Sequence, residues 1–360
     1  MTEPRSPQLA VRHYAGLSLA DGAELVNLAW TSDERPLLGP EIDRVLADAL
    51  AAHLTHSEST VDGYGGAILG PALRPTFGLP DSVRITAGPG VGPTLSFLAR
   101  LVAGRRAYVI GNTYPDFPYW VSQSAGETVA APADRPVAEH AAAARRCAAA
   151  VIFLERPSLT GDWFADAAEL ARLCAELPDR LVLVDESNAN YCPHEFSAVR
   201  QVSDTPNLVV IRGLSKAYGL GGLRLGYCVS SAAAADRLRQ ALPPGSVSRL
   251  SLELGAAVLA LGDRTAGLRS AVRRSRLELA GWLAGIGLEQ VVAASEHLPY
   301  LLVWDATDAI EQRLTSRGIR GKRHPMRLPP PGRHGDPYRL SVPLAADRVA
   351  AVRQRLTGQP

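Results

Sequence analysis

Lysine is almost missing from this chain. Two of its 360 residues are lysines, Lys216 and Lys322, while 36 of its 38 basic residues are arginines. Arginine stays charged and cannot serve as a nucleophilic amine, whereas lysine can. The two lysines therefore stand out before any motif is read. Cysteine is sparse as well: Cys147, Cys174, Cys192 and Cys228, none in a CxxC pair and each in or near an apolar run. That usage predicts reduced, buried thiols in a cytoplasmic protein and speaks against metal ligation. An excess of either charge is lacking too, since 38 Lys+Arg face 36 Asp+Glu and leave +2. Such balance argues against nucleic acid or a membrane surface as the main partner. No apolar stretch reaches about 18 residues without charge or a helix breaker, which excludes a membrane-spanning helix. Met1–Ala10 has no apolar core of the kind a signal peptide needs.

What is present is a chain that is 46% hydrophobic, long enough for two domains with a large buried core. Short Val/Ile/Leu-rich runs without polar alternation predict strands at 82–86, 107–110, 149–154, 181–185, 208–212 and 226–229, buried on both faces. Helical patterns at 92–103, 164–176 and 232–241 alternate with them, and an Ala-rich run at 141–150 reads as a further helix. Strand–helix alternation predicts an α/β fold with a mainly parallel sheet. Residues 46–250 are expected to form the large domain and 251–285 a long connecting helix. Residues 286–360 are expected to form a smaller α+β domain, with strands at 297–304 and 337–342 and helices at 306–317 and 345–356. Residues 1–45 are expected to pack back on the small domain.

The strongest chemical signal is the run Ser215-Lys-Ala-Tyr-Gly-Leu-Gly-Gly-Leu-Arg224-Leu-Gly-Tyr227 after a predicted strand. Open α/β sheets bind ligands at the carboxyl ends of their strands. A lysine crowded there by apolar and glycine neighbours is desolvated, which favours the free amine that forms a Schiff base. Ser215 can donate to a phosphate, and Arg224 can pair with one bidentately. Asp185 ends a second apolar strand and needs a cationic partner such as a pyridinium nitrogen; an N-cap or a buried ion pair is the plainer alternative. Thr86-Ala-Gly88-Pro-Gly90-Val-Gly92 joins a strand to a helix and suits a phosphate at the helix N-terminus, although its glycines could simply make the turn. Tyr114, after the next strand, could stack on a flat ring or belong to the core. Arg339, between apolar residues on a predicted strand, suits a carboxylate clamp or an internal ion pair. Lys322, in Arg320-Gly-Lys-Arg-His324, reads as part of a solvated or a substrate-facing basic loop.

In this order and spacing the motifs resemble the aspartate aminotransferase superfamily, fold type I of the enzymes that use pyridoxal 5′-phosphate (PLP), aminotransferase class I/II. Histidinol-phosphate aminotransferases are the most similar branch. The resemblance runs from about residue 30 to the end, and Ser215–Gly226 matches the family pattern S-K-x-x-G-L-x-G-L-R-x-G. It implies a seven-stranded, mainly parallel sheet and a smaller second domain. It also implies PLP carried as a Schiff base on Lys216, with Ser215, Arg224, Gly88 and Gly90 at its phosphate. Asp185 would lie at its ring nitrogen, Tyr114 on its ring and Arg339 at the substrate α-carboxylate. It further implies a homodimer with shared active sites, in which Tyr64 reaches the phosphate in the partner's site.

The departures are specific. Where the family has N-P-x-N-P-T-G, this chain has Glu155-Arg-Pro-Ser158-Leu-Thr-Gly161, so Ser158 stands in place of an asparagine on the cofactor's 3-oxygen. Where the family has D-E-A-Y, this chain ends in Asn188, which replaces a tyrosine on the same oxygen. A hydroxyl and an amide still donate, but such donors tune the cofactor. Gly213 also lacks a hydroxyl that relatives often place on the phosphate. The expected function is transamination of a small amino acid or amino-acid phosphate. The alternative is a relative that does not transaminate: a decarboxylase, a β/γ-elimination lyase, an oxidase or a cyclase of antibiotic or other specialised metabolism. A PLP-binding regulator is disfavoured because no basic helix-turn-helix precedes the fold.

Overall fold

The computed structural model describes residues 25–55, 62–159, 166–288, 295–304, 309–329 and 335–358. In chain order the structure runs β1 (Val26–Asn27), α1 (Glu41–Thr55), α2 (Gly66–Phe77), β2 (Arg84–Gly88), α3 (Val91–Leu98) and β3 (Arg106–Ile110). There follow α4 (Phe117–Gln123), β4 (Glu127–Ala131), α5 (Val137–Arg146), β5 (Ala149–Glu155), α6 (Ala167–Glu176), β6 (Leu181–Asp185), β7 (Leu208–Gly213) and β8 (Gly226–Ser230). The remainder is α7 (Ala232–Arg239), α8 (Arg249–Leu259), α9 (Ala266–Gly285), β9 (Tyr300–Val303), α10 (Ile310–Thr315), β10 (Ile319–Arg320), β11 (Lys322–Arg323), β12 (Tyr338–Ser341) and α11 (Ala346–Thr357).

Seven strands form one sheet in the order β2-β8-β7-β6-β5-β3-β4. All lie parallel except β8, which runs antiparallel to both β2 and β7. The central strands β5, β6 and β7 are buried along their whole length, as apolar runs covered by helices on both faces must be. Their carboxyl ends bring Glu155, Asp185 and Gly213 to one edge of the sheet. The fold is therefore α/β with a mainly parallel sheet. A second, antiparallel sheet, β11-β12-β9, stands apart from it. The short β1 pairs in parallel with β10, and Asp33 accepts hydrogen bonds from the backbone N–H groups of Leu344 and Ala345.

Several sequence expectations need correction. The run 249–285 is two helices, because Gly262 adopts a left-handed φ of 72° and Asp263 caps Thr265 N–H at 2.9 Å. The Ala-rich run 141–150 is helical only to Arg146, since Ala149 and Ala150 open a fully buried strand. The first large strand is Arg84–Gly88, two residues later than its pattern suggested. The half-buried edge strand β4 has too little apolar character to read as a strand from sequence. Thr160, Gly161 and the start of the helix expected from 164 lie outside the described residues. Among the described residues no helix is long and apolar enough to cross a membrane, and all four cysteines are free thiols.

Candidate active site

Two adjoining cavities lie at the carboxyl edge of the large sheet. One, of about 560 Å³, is lined by Val91, Gly92, Tyr114, Trp120, Asp185, Ser187, Ser215, Lys216 and Arg224, among others. The other, of about 620 Å³, shares Tyr114, Ser215, Lys216 and Arg224 with it and adds Trp30, Glu155, Asn188, Tyr300, Lys322 and Arg339. The shared residues form the wall between them, so Lys216 faces both.

Lys216 follows β7 and donates a hydrogen bond from Nζ to Ser187 Oγ at 2.9 Å. Asp185, one strand over, accepts the Ser187 backbone N–H at 2.7 Å. Burial raises the Asp185 carboxyl above the usual carboxylate range, while the Lys216 charge and the Ser187 amide oppose that shift. Behind this pair the buried Glu186 carboxylate is gripped on both oxygens, by Arg156 at 3.0 Å and Arg212 at 2.6 Å. Arg212 also touches Ser197, and Asn190 ties its own amide to Gly213 O. This network anchors the ends of β6 and β7, the strands that present Asp185 and lead to Lys216.

At the opposite end, Gly90 caps α3 with φ 94°, and a Cβ there would meet Arg224 Nη2 at 2.8 Å. Gly88 leaves no room for a side chain either, since its Cβ would lie 2.0 Å from Thr94 Oγ1. Gly90 N–H is engaged by Gly88 O at 2.7 Å. The two glycines thus shape the loop, and it is Val91 and Gly92 that line the cavity. Arg224 holds a left-handed φ of 50° and braces itself on Gly221 O at 3.1 Å. Tyr114 stacks against Trp120 with centroids 5.6 Å apart, covering one side of the cavity.

The antiparallel sheet supplies the far wall. Arg339 on β12 donates to Ala29 O at 2.9 Å and lies over the Tyr300 ring. Lys322 on β11 is only 5% exposed, and its ammonium sits 4.0 Å from the Trp30 ring centroid. A solvated loop is therefore the wrong description of it. Burial, with Arg339 and Lys216 nearby, lowers its pKa to about 6. Of the basic run, Lys322 and His324 line this cavity, whereas Arg323 turns to Glu311 and the Asp336 carbonyl. Asn188 lines the same cavity with a buried Oδ1 that has no partner among the described residues. Ser158 is buried in the turn after β5, next to Leu159, which reaches the cavity. Tyr64 is not brought into either cavity, and its ring lies under Arg239. Sequence reasoning missed Ser187 and the side chain of Glu155; for Lys322 it left a solvated and a substrate-facing loop open, and the cavity wall fits the second. For Ser187 the only signal was a hydroxyl two residues beyond Asp185.

This chain is 30% identical over 283 residues to histidinol-phosphate aminotransferase of Cereibacter sphaeroides, covering 77% of this chain and 74% of that one. Its structure matches that of histidinol-phosphate aminotransferase from Sinorhizobium meliloti, in complex with pyridoxal-5′-phosphate, at TM-score 0.73 and 23% identity, covering 98% and 94% of the two chains. It also matches L-threonine-O-3-phosphate decarboxylase from Porphyromonas gingivalis at TM-score 0.72 and 16% identity, covering 93% and 99%. With residues 74–320 matched by the family described as aminotransferase class I and II, the chain belongs to that family.

Proposed function

We propose that this protein is a PLP-dependent aminotransferase that takes the α-amino group of a small amino acid or amino-acid phosphate, of the histidinol-phosphate aminotransferase type. The observation that carries the reading is one cavity holding the Lys216 amine, the Asp185 carboxyl and the Arg224 guanidinium. The residues present fit PLP. A carboxylate and an arginine line one cavity, a Cβ at Gly88 or Gly90 would collide with Thr94 or Arg224, and Asn188 Oδ1 is buried without a partner among the described residues.

When bound, PLP supplies an electrophilic carbon and a ring that withdraws electrons from the substrate Cα. Lys216 would hold the cofactor, and once displaced by the substrate amine it would take the proton from Cα as base and return it as acid. Asp185 would keep the ring nitrogen protonated. The N–H groups of Val91 and Gly92, the Ser215 hydroxyl and Arg224 would hold the phosphate, with Gly88 and Gly90 shaping that loop. Tyr114 would cover the ring, Ser158 and Asn188 would face its 3-oxygen, and Arg339 would bind the substrate α-carboxylate. We read residues 46–250 as the cofactor domain, 251–285 as the connection and 286–360 as the small domain, with 25–45 packed on it; residues 1–24 of the expected N-terminal segment lie outside the described residues. We also read a homodimer, since Tyr64 lies outside the cavities of its own chain.

The test is to give the holoenzyme an amino-acid pool with no amino acceptor and follow the cofactor. Accumulated pyridoxamine phosphate supports transamination. Substrate loss with the cofactor returning to its starting spectrum overturns it in favour of a decarboxylase, lyase or oxidase. The changed pair Ser158 and Asn188 is the feature that favours this second reading.

A further inference from the structure

Glu155 is an ionisable group at a place where the family pattern has an asparagine, an amide that never changes charge. It is the last residue of β5, in direct register with Asp185 on β6. Two carboxyl groups therefore end neighbouring strands. Their settings differ. Asp185 has the Ser187 amide and the Lys216 ammonium beside it. The Glu155 carboxyl lines the cavity next to Lys216, is 8% exposed, and makes no ion pair among the described residues. By contrast the adjacent Glu186 is clamped by two arginines. The Tyr114 backbone N–H donates to Glu155. The other groups facing it are Tyr300 and Arg339 from the antiparallel sheet, with Lys322 and His324 further along the same wall.

We propose that Glu155 is a second proton-holding group of this site, a positioning residue whose charge sets how firmly the Lys216 nitrogen keeps its own proton. Two carboxyl groups on neighbouring strand ends, one in each of the cavities that Lys216 faces, can divide the roles of anion and acid. Asp185 is the better placed of the two to carry the charge, because the Lys216 ammonium and the Ser187 amide oppose the upward push of burial. Burial and the Asp185 charge push Glu155 up to about 8, so at neutral pH it is a neutral acid. As pH rises its proton leaves to solvent, and the new negative charge holds the proton on the Lys216 nitrogen more tightly.

The inference rests on Lys216 as the cofactor lysine, and two measurements separate the one claim from the other. The first is infrared difference spectroscopy of the protein across pH 6 to 10, which does not depend on the cofactor. A protonated-carboxyl band that titrates near pH 8 and is missing from Glu155→Gln is expected. Its presence unchanged in that variant, or its absence from the wild type, overturns the proposal. The second is the pH titration of the cofactor's visible band in the holoenzyme. The wild type should lose the Lys216 proton in a broad, two-step curve. Glu155→Gln should give a single step at lower pH, by on the order of one unit, and Glu155→Asp should restore breadth. Superimposable curves for wild type and Glu155→Gln overturn it.

Discussion

The Nζ of Lys216 donates to the Oγ of Ser187 at 2.9 Å, while the backbone N–H of Ser187 donates to Asp185. One small residue thus positions both the amine and the carboxylate of the site. Its hydroxyl comes from sequence; its reach to Lys216, 29 residues further along, comes from β6 and β7 lying side by side.

Ser187→Ala keeps the amide and removes the hydroxyl. A hydrogen bond of this kind contributes about 1 kcal/mol net. Turnover is expected to fall roughly fivefold, with the thermal midpoint nearly unchanged. Steady-state kinetics and a melting curve on the same preparation check this. An equal loss of stability would make Ser187 structural instead.

Lys216→Ala should abolish the visible cofactor band that depends on the lysine and lower turnover by at least about a hundredfold, the usual scale for losing a positioned acid–base group. Retention of both by the variant would remove Lys216 from its role.

Arg212 is held at 2.6 Å from Glu186, and both are buried. Arg212→Met removes one of the two arginines on a buried carboxylate and leaves Ser197 as the donor to that oxygen; breaking a buried pair costs about 3–5 kcal/mol. A large drop in the urea midpoint is expected. The companion Glu186→Gln should lower that midpoint as well, because it removes the charge that both Arg156 and Arg212 pair with.

Lys322 gives a pH dependence with a definite sign. Its folded pKa, about 6, lies below the ordinary lysine value of 10.5. Between these limits the unfolded chain binds more protons than the folded one, so this residue makes stability rise with pH. The destabilisation is full below pH 6 and disappears toward 10.5. Lys322→Met should therefore raise the denaturation midpoint most near pH 6 and least near pH 10. Equal gains at both would show that Lys322 stays charged when folded.

Tyr64 tests the shared-site dimer. If each tyrosine serves the partner's cofactor, a hybrid of Lys216→Ala and Tyr64→Phe subunits carries one intact site. Mixing and refolding the two should then recover activity above the sum of the separate variants. Size-exclusion with light scattering should find a dimer. A monomer would end the idea.

The sequence by itself determined the strand–helix alternation, because fully buried parallel strands must be near-continuous apolar runs, and six of the seven large strands were legible on that ground. It also pointed to Lys216, a nucleophilic amine in a glycine-rich segment after a strand, and the structure places that residue on the cavity wall. Edge strand β4, Glu127–Ala131, escaped because an edge needs less apolar surface. The break between α8 and α9 escaped because Gly262 is tolerated inside a helical pattern until its left-handed backbone is seen. Only the tertiary structure decided the electrostatics. Whether Lys322 is solvated or buried, and whether Glu155 faces Asp185 or water, depends on which strand ends meet. Local sequence carries no record of that, since a charge's state follows from desolvation and from neighbours tens or hundreds of residues away.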